Sequence, residues 1–320
     1  MCLNRVKWST EIREIVRKLL LSSPRWMFPT IRSVYYRLGS DGYIPLTKQG
    51  YKRLNMLITK MRKAGEIPWG YFEVKRGEKS YLGSHFVPPR DYVKWALKNL
   101  KECERNYRVP LWYLQKTHVE IWIEKKGLLP TFEYFVSDLD PVIRAAEGYA
   151  SWEFVYASVN EIKDYVLDRT GNKVVVLYFG DLDPSGHDIG RHIKEAIEFF
   201  GVNLTFKRVA LLPEQVHEWG LPLWPERMEV IEKIEKDPRQ KWYFERFGRI
   251  ACELDAVSSN PNALEKLREL VRKEVEKYIN KDILEKREKI EKEYREKIAK
   301  AFEKNRTLLE QLEKQLLNSI

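Results

Sequence analysis

Apolar and polar positions along this chain follow two rhythms. In residues 10–21 (TEIREIVRKLLL), Ile12, Ile15, Val16, Leu19 and Leu20 recur at helical spacing, and Ser22-Ser23-Pro24 ends the run. Pro29-Thr30 opens a short helix through Leu38, which Gly39 is expected to stop, and Asp41-Gly42 reads as a turn. Thr47 is placed as the N-cap of a helix from Lys48 to Ala64, with Tyr51, Leu54, Leu57, Ile58 and Met61 on its apolar stripe and Gly65 after it. Tyr71–Val74 and Ser80–Leu82, joined by the charged stretch KRGEK, predict a β-hairpin. After Pro88-Pro89 a helix is predicted over Asp91–Glu104.

From Val119 the rhythm changes. Strands are predicted at Val119–Ile123, Val174–Phe179 (VVVLYF) and Thr205–Leu211, with helices at Ser158–Leu167 and Asp188–Phe200 between them. Alternation of this kind implies a mostly parallel sheet, and the unbroken VVVLYF run suits a strand buried on both faces. The fold class is therefore α/β. From Asn262 to about Leu317 the chain is Glu, Lys, Arg and Leu/Ile with a break near Asn280–Asp282. Its thin, roughly heptad stripe suits a long helix that packs on the body or on a partner.

Charge sharpens this division. Of 320 residues, 57 are Lys or Arg and 47 Asp or Glu, and the pI is about 9.2. Residues 1–120 hold 24 basic against 10 acidic side chains, whereas residues 121–280 hold 22 against 28. A basic front favours polyanions through counterion release, and an acidic middle suits divalent metal. No stretch is apolar enough to cross a membrane, and the charged N-terminus is unlike a signal peptide. Three scattered cysteines argue against a zinc module and fit a cytoplasmic protein. The 32% of charged residues beside few glutamines is a bias seen in thermophile proteins.

Three helices, the third basic, followed by a hairpin with a basic tip, make the pattern of a winged helix-turn-helix. Lys48, Lys52, Arg53 and Lys60 on the third helix, and Lys75, Arg76 and Lys79 at the hairpin, are the candidate contacts to double-stranded DNA. The sharpest motif follows the VVVLYF strand: Gly180-Asp181-Leu182-Asp183-Pro184-Ser185-Gly186. Carboxylates at i and i+2 of extended chain share a side, and open parallel sheets bind ligands at this end of their strands. Two carboxylates so held call for a cation, and Mg²⁺ suits them, with Mn²⁺ as a substitute. Glu124 ends the strand Ile121-Trp122-Ile123; read alone it is a solvent-exposed strand end.

The pair IWIEKKGL and VVVLYFGDLDPSG resembles the Toprim domain of topoisomerases, certain nucleases and bacterial primases. That resemblance implies that Glu124, Asp181 and Asp183 gather Mg²⁺ for phosphodiester chemistry. The segment Pro29–Leu38 (PTIRSVYYRL) resembles the nucleophile helix of the topoisomerase VI A subunit and its meiotic double-strand-break relative, closest to short stand-alone forms of archaea and mobile elements. It implies Tyr36 as the catalytic tyrosine and Arg32 as its arginine, with Ser33 where the family has an acidic residue. Read alone, Tyr35-Tyr36 are core aromatics.

The resemblance divides the chain into a winged-helix domain at 1–110, a Toprim domain at 111–261 and a charged helical extension at 262–320. It further implies a homodimer in which Tyr36 of one chain meets the metal cluster of the other, giving a phosphotyrosine link to DNA. In that family strand passage needs an ATPase B subunit. The chain has no GxxxxGK[ST] loop, and the 35 residues before Tyr36 leave little room for the segment that meets such a subunit, which argues against autonomous topoisomerase activity. Two alternatives stay open: an Mg²⁺-dependent nuclease that uses water, with Tyr36 structural, and a catalytically degenerate DNA-binding protein. Glu253 and Asp255 are an acidic pair that supports either the fold or the metal site.

Overall fold

Helix α1 (Glu11–Ser22) buries Ile12, Val16 and Leu20, one residue per turn on one stripe. Helix α2 (Ile31–Ser40) starts at Thr30, whose hydroxyl accepts the Ser33 N–H at 3.1 Å. Helix α3 (Lys48–Lys63) starts in the same way at Thr47, which accepts the Gly50 N–H at 3.0 Å. Each cap satisfies a backbone donor that the first helical turn leaves unpaired. Gly39 does not stop α2. The chain reverses at Gly42, whose φ of +77° favours glycine, while the Gly39 face is covered by Leu46, which a Cβ there would overlap.

The computed structural model describes residues 10–72, 86–148, 150–164, 173–222, 237–248 and 250–319. Most of the segment predicted as a hairpin, including Lys75, Arg76 and Lys79, lies outside the described residues; its first residue, Tyr71, ends a 3₁₀ turn, Trp69–Tyr71. After it come α4 (Pro89–Lys101) and the short α5 (Cys103–Asn106), then β1 (Thr117–Ile123), α6 (Leu129–Val136), β2 (Val142–Ala145), α7 (Trp152–Ile162) and β3 (Lys173–Phe179). The remainder is α8 (Pro184–Phe199), β4 (Thr205–Ala210), α9 (Pro213–Glu218), α10 (Gln240–Phe247), a 3₁₀ turn at Leu254–Ser259, α11 (Pro261–Glu276), α12 (Lys281–Lys304) and α13 (Arg306–Asn318).

The four strands form one all-parallel sheet in the order β2-β1-β3-β4. Strand β3 is buried on both faces from Val174 to Phe179, as its unbroken apolar run requires. On one face Trp122, Val174, Val176 and Tyr178 pack with Val155, Val159 and Ile162 of α7 and Ile189, Ile193 and Ile197 of α8. On the other, Phe132 of α6 meets Phe179 edge-on at 5.0 Å. The described residues contain no helix long and apolar enough to cross a membrane.

The chain divides into two compact units, Met1–Lys75 with Lys116–Tyr278, and Arg76–Gln115 with Ile279–Ile320. This division is discontinuous, unlike the consecutive segments 1–110, 111–261 and 262–320. Helices α1–α3 belong with the sheet, while α4 and α5 belong with the returning α12 and α13. Within that second unit Arg287 donates to the Val109 carbonyl at 2.7 Å, Glu291 accepts the Val109 N–H at 3.0 Å, and Lys101 pairs with Glu313 at 2.6 Å. The sparse stripe of α12 and α13 thus has a partner within this chain.

Candidate active site

Strands β1 and β3 pair in register from Thr117 with Lys173 to Ile123 with Phe179, so Glu124 and Gly180 leave the sheet side by side. The Glu124 N–H extends the ladder to the Phe179 carbonyl at 2.9 Å. Its Oε2 accepts the Asp181 N–H at 2.9 Å and lies 3.5 Å from the Tyr178 hydroxyl. Asp181 Oδ1 accepts the Leu254 N–H at 2.8 Å, and its Oδ2 lies 2.6 Å from Lys125 Nζ. The same ammonium is 3.9 Å from Glu124 Oε1. A lysine therefore neutralises the point where the two strand-end carboxylates face each other.

Asp183 takes a different position. It is the N-cap of α8, and its Oδ1 accepts the Gly186 N–H at 2.6 Å. Pro184 occupies the first helical position, where a missing N–H costs nothing. Gly186 is required by close approach, because a Cβ there would overlap the Asp181 carbonyl. Arg208 on β4 clamps the same loop by donating to the carbonyls of Gly180, Asp181 and Gly186. Burial disfavours its charge and lowers its pKa.

The loop is stitched on its far side to residues 252–254. Leu182 and Cys252 exchange two backbone hydrogen bonds of 2.9 Å. Glu253 is thereby carried into the cluster, where its Oε2 accepts the Tyr36 hydroxyl at 2.7 Å and pairs with Arg32 Nη1. Helix α2 packs on the Leu254–Ser259 turn and delivers both side chains. Tyr36 and Arg32 thus meet an acidic cluster in their own chain. Glu253, in the sequence only one half of an acidic pair, is the hub between α2 and the Asp181 loop.

Burial and mutual repulsion make this cluster electrostatically tense. Burial first, then the negative charge of Asp181, pushes the Glu124 carboxyl up to about 8. The same two causes raise Asp183 to about 6. Burial also opposes the charge on Glu253, but Arg32, Lys125 and the Tyr36 hydroxyl together hold its carboxyl below the usual range. Lys125 is raised despite its burial, because Asp181, Glu253, Asp255 and Glu124 surround it. Glu124 is 7% exposed, which rules out the solvated strand end that its sequence context suggests when read alone.

Not every candidate is at this centre. Lys48, Lys52, Arg53 and Lys60 are exposed along α3. Among the described residues, no three His, Cys, Asp or Glu side chains already converge as a metal cage. Glu124 and Asp181 face Lys125, while Asp183 is turned toward its own helix.

His187, on the first turn of α8, packs against Phe247 at 4.4 Å, and its Nε2 is buried with no hydrogen-bond partner among the described residues. Burial, then Arg208 and Arg246, lowers its pKa to about 3. A histidine held neutral when folded binds its proton more readily when unfolded. Its contribution is therefore whole above the unfolded value near 6.5 and is lost as pH falls toward 3. His187→Gln should narrow the stability gap between pH 7 and pH 5 by about 1 kcal/mol, discounted for partial exposure. Urea unfolding of both proteins at the two pH values measures it; parallel losses would show that other groups drive the acid response.

The chain matches no protein-family model, no curated protein and no solved structure.

Proposed function

We propose that this chain cleaves DNA phosphodiesters with a divalent cation, Mg²⁺ by preference, held by Glu124, Asp181 and Asp183. The observation that carries the proposal is the convergence of two buried strand-end carboxylates, Glu124 and Asp181, on one positive charge. Lys125 Nζ stands 2.6 Å from Asp181 and 3.9 Å from Glu124, so a cation is stable at that point. The donors are hard carboxylate oxygens, with the Glu124 and Asp183 carboxyls raised by burial and then by the charge of Asp181, and this set fits Mg²⁺. When bound, such an ion supplies Lewis-acid stabilisation of charge on a phosphoryl oxygen. The exposed basic face of α3 is the surface that would take up the duplex, in the manner of a winged helix.

In the arrangement described here, water is the attacking group and Tyr36 positions the cluster. Tyr36 is only 2% exposed, and its hydroxyl donates to Glu253. A DNA phosphate could not reach that oxygen in line without movement of α2. Arg32 and Glu253 would then serve to lock α2 against the loop that carries Asp181.

A second reading, topoisomerase VI A-like transesterification, is favoured by one observation. The Tyr36 hydroxyl has a carboxylate 2.7 Å away and Arg32 beside it, the partners that a nucleophilic phenol needs once α2 parts from the Leu254–Ser259 turn. The phenol would attack phosphorus, the leaving strand would depart as a 3′ or 5′ hydroxyl, and the phosphotyrosine would keep the bond energy for resealing. A homodimer, with or without an ATPase partner, belongs to this second reading.

Incubating supercoiled plasmid with the protein and Mg²⁺, then denaturing, separates the two. In the water reading, Tyr36→Phe still cuts within about tenfold of wild type and leaves no protein on the DNA. In the transesterase reading, denaturation traps a covalent adduct that Tyr36→Phe abolishes. Absence of cutting in every metal tried, with DNA binding intact, would sink both and leave a DNA-binding protein.

A further inference from the structure

A cavity of about 770 Å³ opens beside the first turn of α8, a size suited to one small ligand. Glu124, Asp181, Asp183 and Tyr36 are not among its walls. Its charged lining is Arg191, Arg208, Arg239 and Arg246 against a single acid, Asp188. That acid is already spent: Oδ1 accepts from Arg191 and Oδ2 from Arg239 at 2.8 Å. Arg239 is further committed to Asp237, and Arg208 to backbone carbonyls. Arg246 has no ion-pair partner among the described residues, although it faces the same space.

The rest of the wall is aromatic. Trp242 is 51% exposed and lies 6.0 Å from Phe247, which in turn flanks the His187 ring. His187 completes the wall with its ring packed against Phe247. A guanidinium that meets only the Phe247 ring face among the described residues, a positive field and an exposed indole together describe a ligand with an anionic end and a flat end. A cavity for an apolar metabolite would not gather four arginines, and a simple anion site would not need the aromatic wall.

We propose that this cavity binds a nucleotide, its phosphate on Arg246 and its base against Trp242. Two sources carry this chemistry: a free nucleotide, and an unpaired nucleotide of a nucleic-acid strand. Base stacking on an indole and Arg–phosphate pairing serve both. The inference does not rest on cleavage, since none of the proposed catalytic carboxylates takes part.

Calorimetry of the full chain in metal-free buffer tests it with three probes: adenosine monophosphate, ribose 5-phosphate and a ten-residue oligothymidylate. The nucleotide should bind, ribose 5-phosphate at least about tenfold more weakly, and Trp242→Ala and Arg246→Gln should each weaken the nucleotide about tenfold. Arg246→Glu should abolish binding; circular dichroism of all three variants reports their folding. Tighter binding of oligothymidylate than of the mononucleotide, lost in the same variants, assigns the strand source. Equal or better binding of the mononucleotide assigns the free source. Ribose 5-phosphate binding as tightly as the nucleotide, affinity indifferent to both Trp242 and Arg246, or no binding of any probe to wild type overturns the proposal.

Discussion

Asp183→Asn should lower metal-dependent cleavage by at least about a hundredfold while leaving the fold as stable as before or slightly more so. The two halves of this result have separate causes. As a cap, Asp183 uses one oxygen, Oδ1, to accept the Gly186 N–H. Asparagine presents the same carbonyl oxygen and caps as well as aspartate. As a charge, Asp183 sits badly: burial and Asp181 raise its carboxyl to about 6. Removing that charge relieves repulsion in the unliganded protein but deletes a ligand that a hard cation prefers charged. Asp183→Ala is the companion variant, losing the cap as well, at a cost of about 1 kcal/mol. Plasmid cleavage with thermal unfolding of both variants checks this. Cleavage that persists in Asp183→Asn would remove Asp183 from the metal set; a fall in stability like that of Asp183→Ala would show that the charge itself supports the fold.

What could be read in advance follows how local each signal is. The VVVLYF run and the Asp-x-Asp-Pro-x-Gly turn lie side by side in the chain and mark β3 and the turn that opens the next helix; that Asp183 caps this helix, which starts at Pro184 and not at the expected Asp188, was not legible. Thr47 and the stripe of α3 were legible for the same reason. Strand β2 was not: its four residues, Val142–Ala145, are half-exposed, and Arg144 interrupts any apolar run because it pairs with buried Glu120 on β1. Helix α7 starts at Trp152, before the expected Ser158, because Ser151 caps it by accepting the Phe154 N–H at 3.1 Å. The stripe of the last helices announces a packed face without naming what it packs on. Its partner lies some 180 residues earlier in the chain, between Pro89 and Val109.

The site divides in the same way. Glu124, Asp181 and Asp183 are marked by strand ends that sequence can locate. Their pairing follows from a strand order that it cannot give, since β1 and β3 are adjacent in the sheet although β2 lies between them in sequence. Lys125 was visible only as part of a Lys-Lys flank. Glu253 stands 217 residues from Tyr36 and 221 from Arg32, so no spacing rule links them. The one usable sign was an acidic pair, Glu253 and Asp255, straddling an apolar residue: charge in a segment that otherwise reads as core.

Glu253→Ala should destabilise the protein by about 3–5 kcal/mol, the cost of stripping one partner from a buried ion pair. Glu253 is 7% exposed and holds Arg32, whose side chain is 33% exposed, while its negative charge also supports Lys125. Alanine removes the acceptor of the Tyr36 hydroxyl bond and leaves two cations facing one fewer anion. Helix α2 then rests on the Leu254–Ser259 turn without its ion pair to Glu253. Glu253→Gln should cost less, because an amide oxygen can still accept from Tyr36. A double-mutant cycle makes the cause visible: Arg32→Ala in the Glu253→Ala background should cost about 1–3 kcal/mol less than it does in wild type. Urea unfolding, with the slope of free energy on denaturant compared across the four proteins, supplies the numbers. An additive cycle, or a Glu253→Ala cost below about 1 kcal/mol, would mean that α2 is held by its apolar face and that Glu253 is kept for chemistry. A coupled cycle makes it the latch that keeps Tyr36 buried. Loosening that latch is then the condition under which the phenol can meet a phosphate, and the wild-type adduct compared with Tyr36→Phe decides between tyrosine and water.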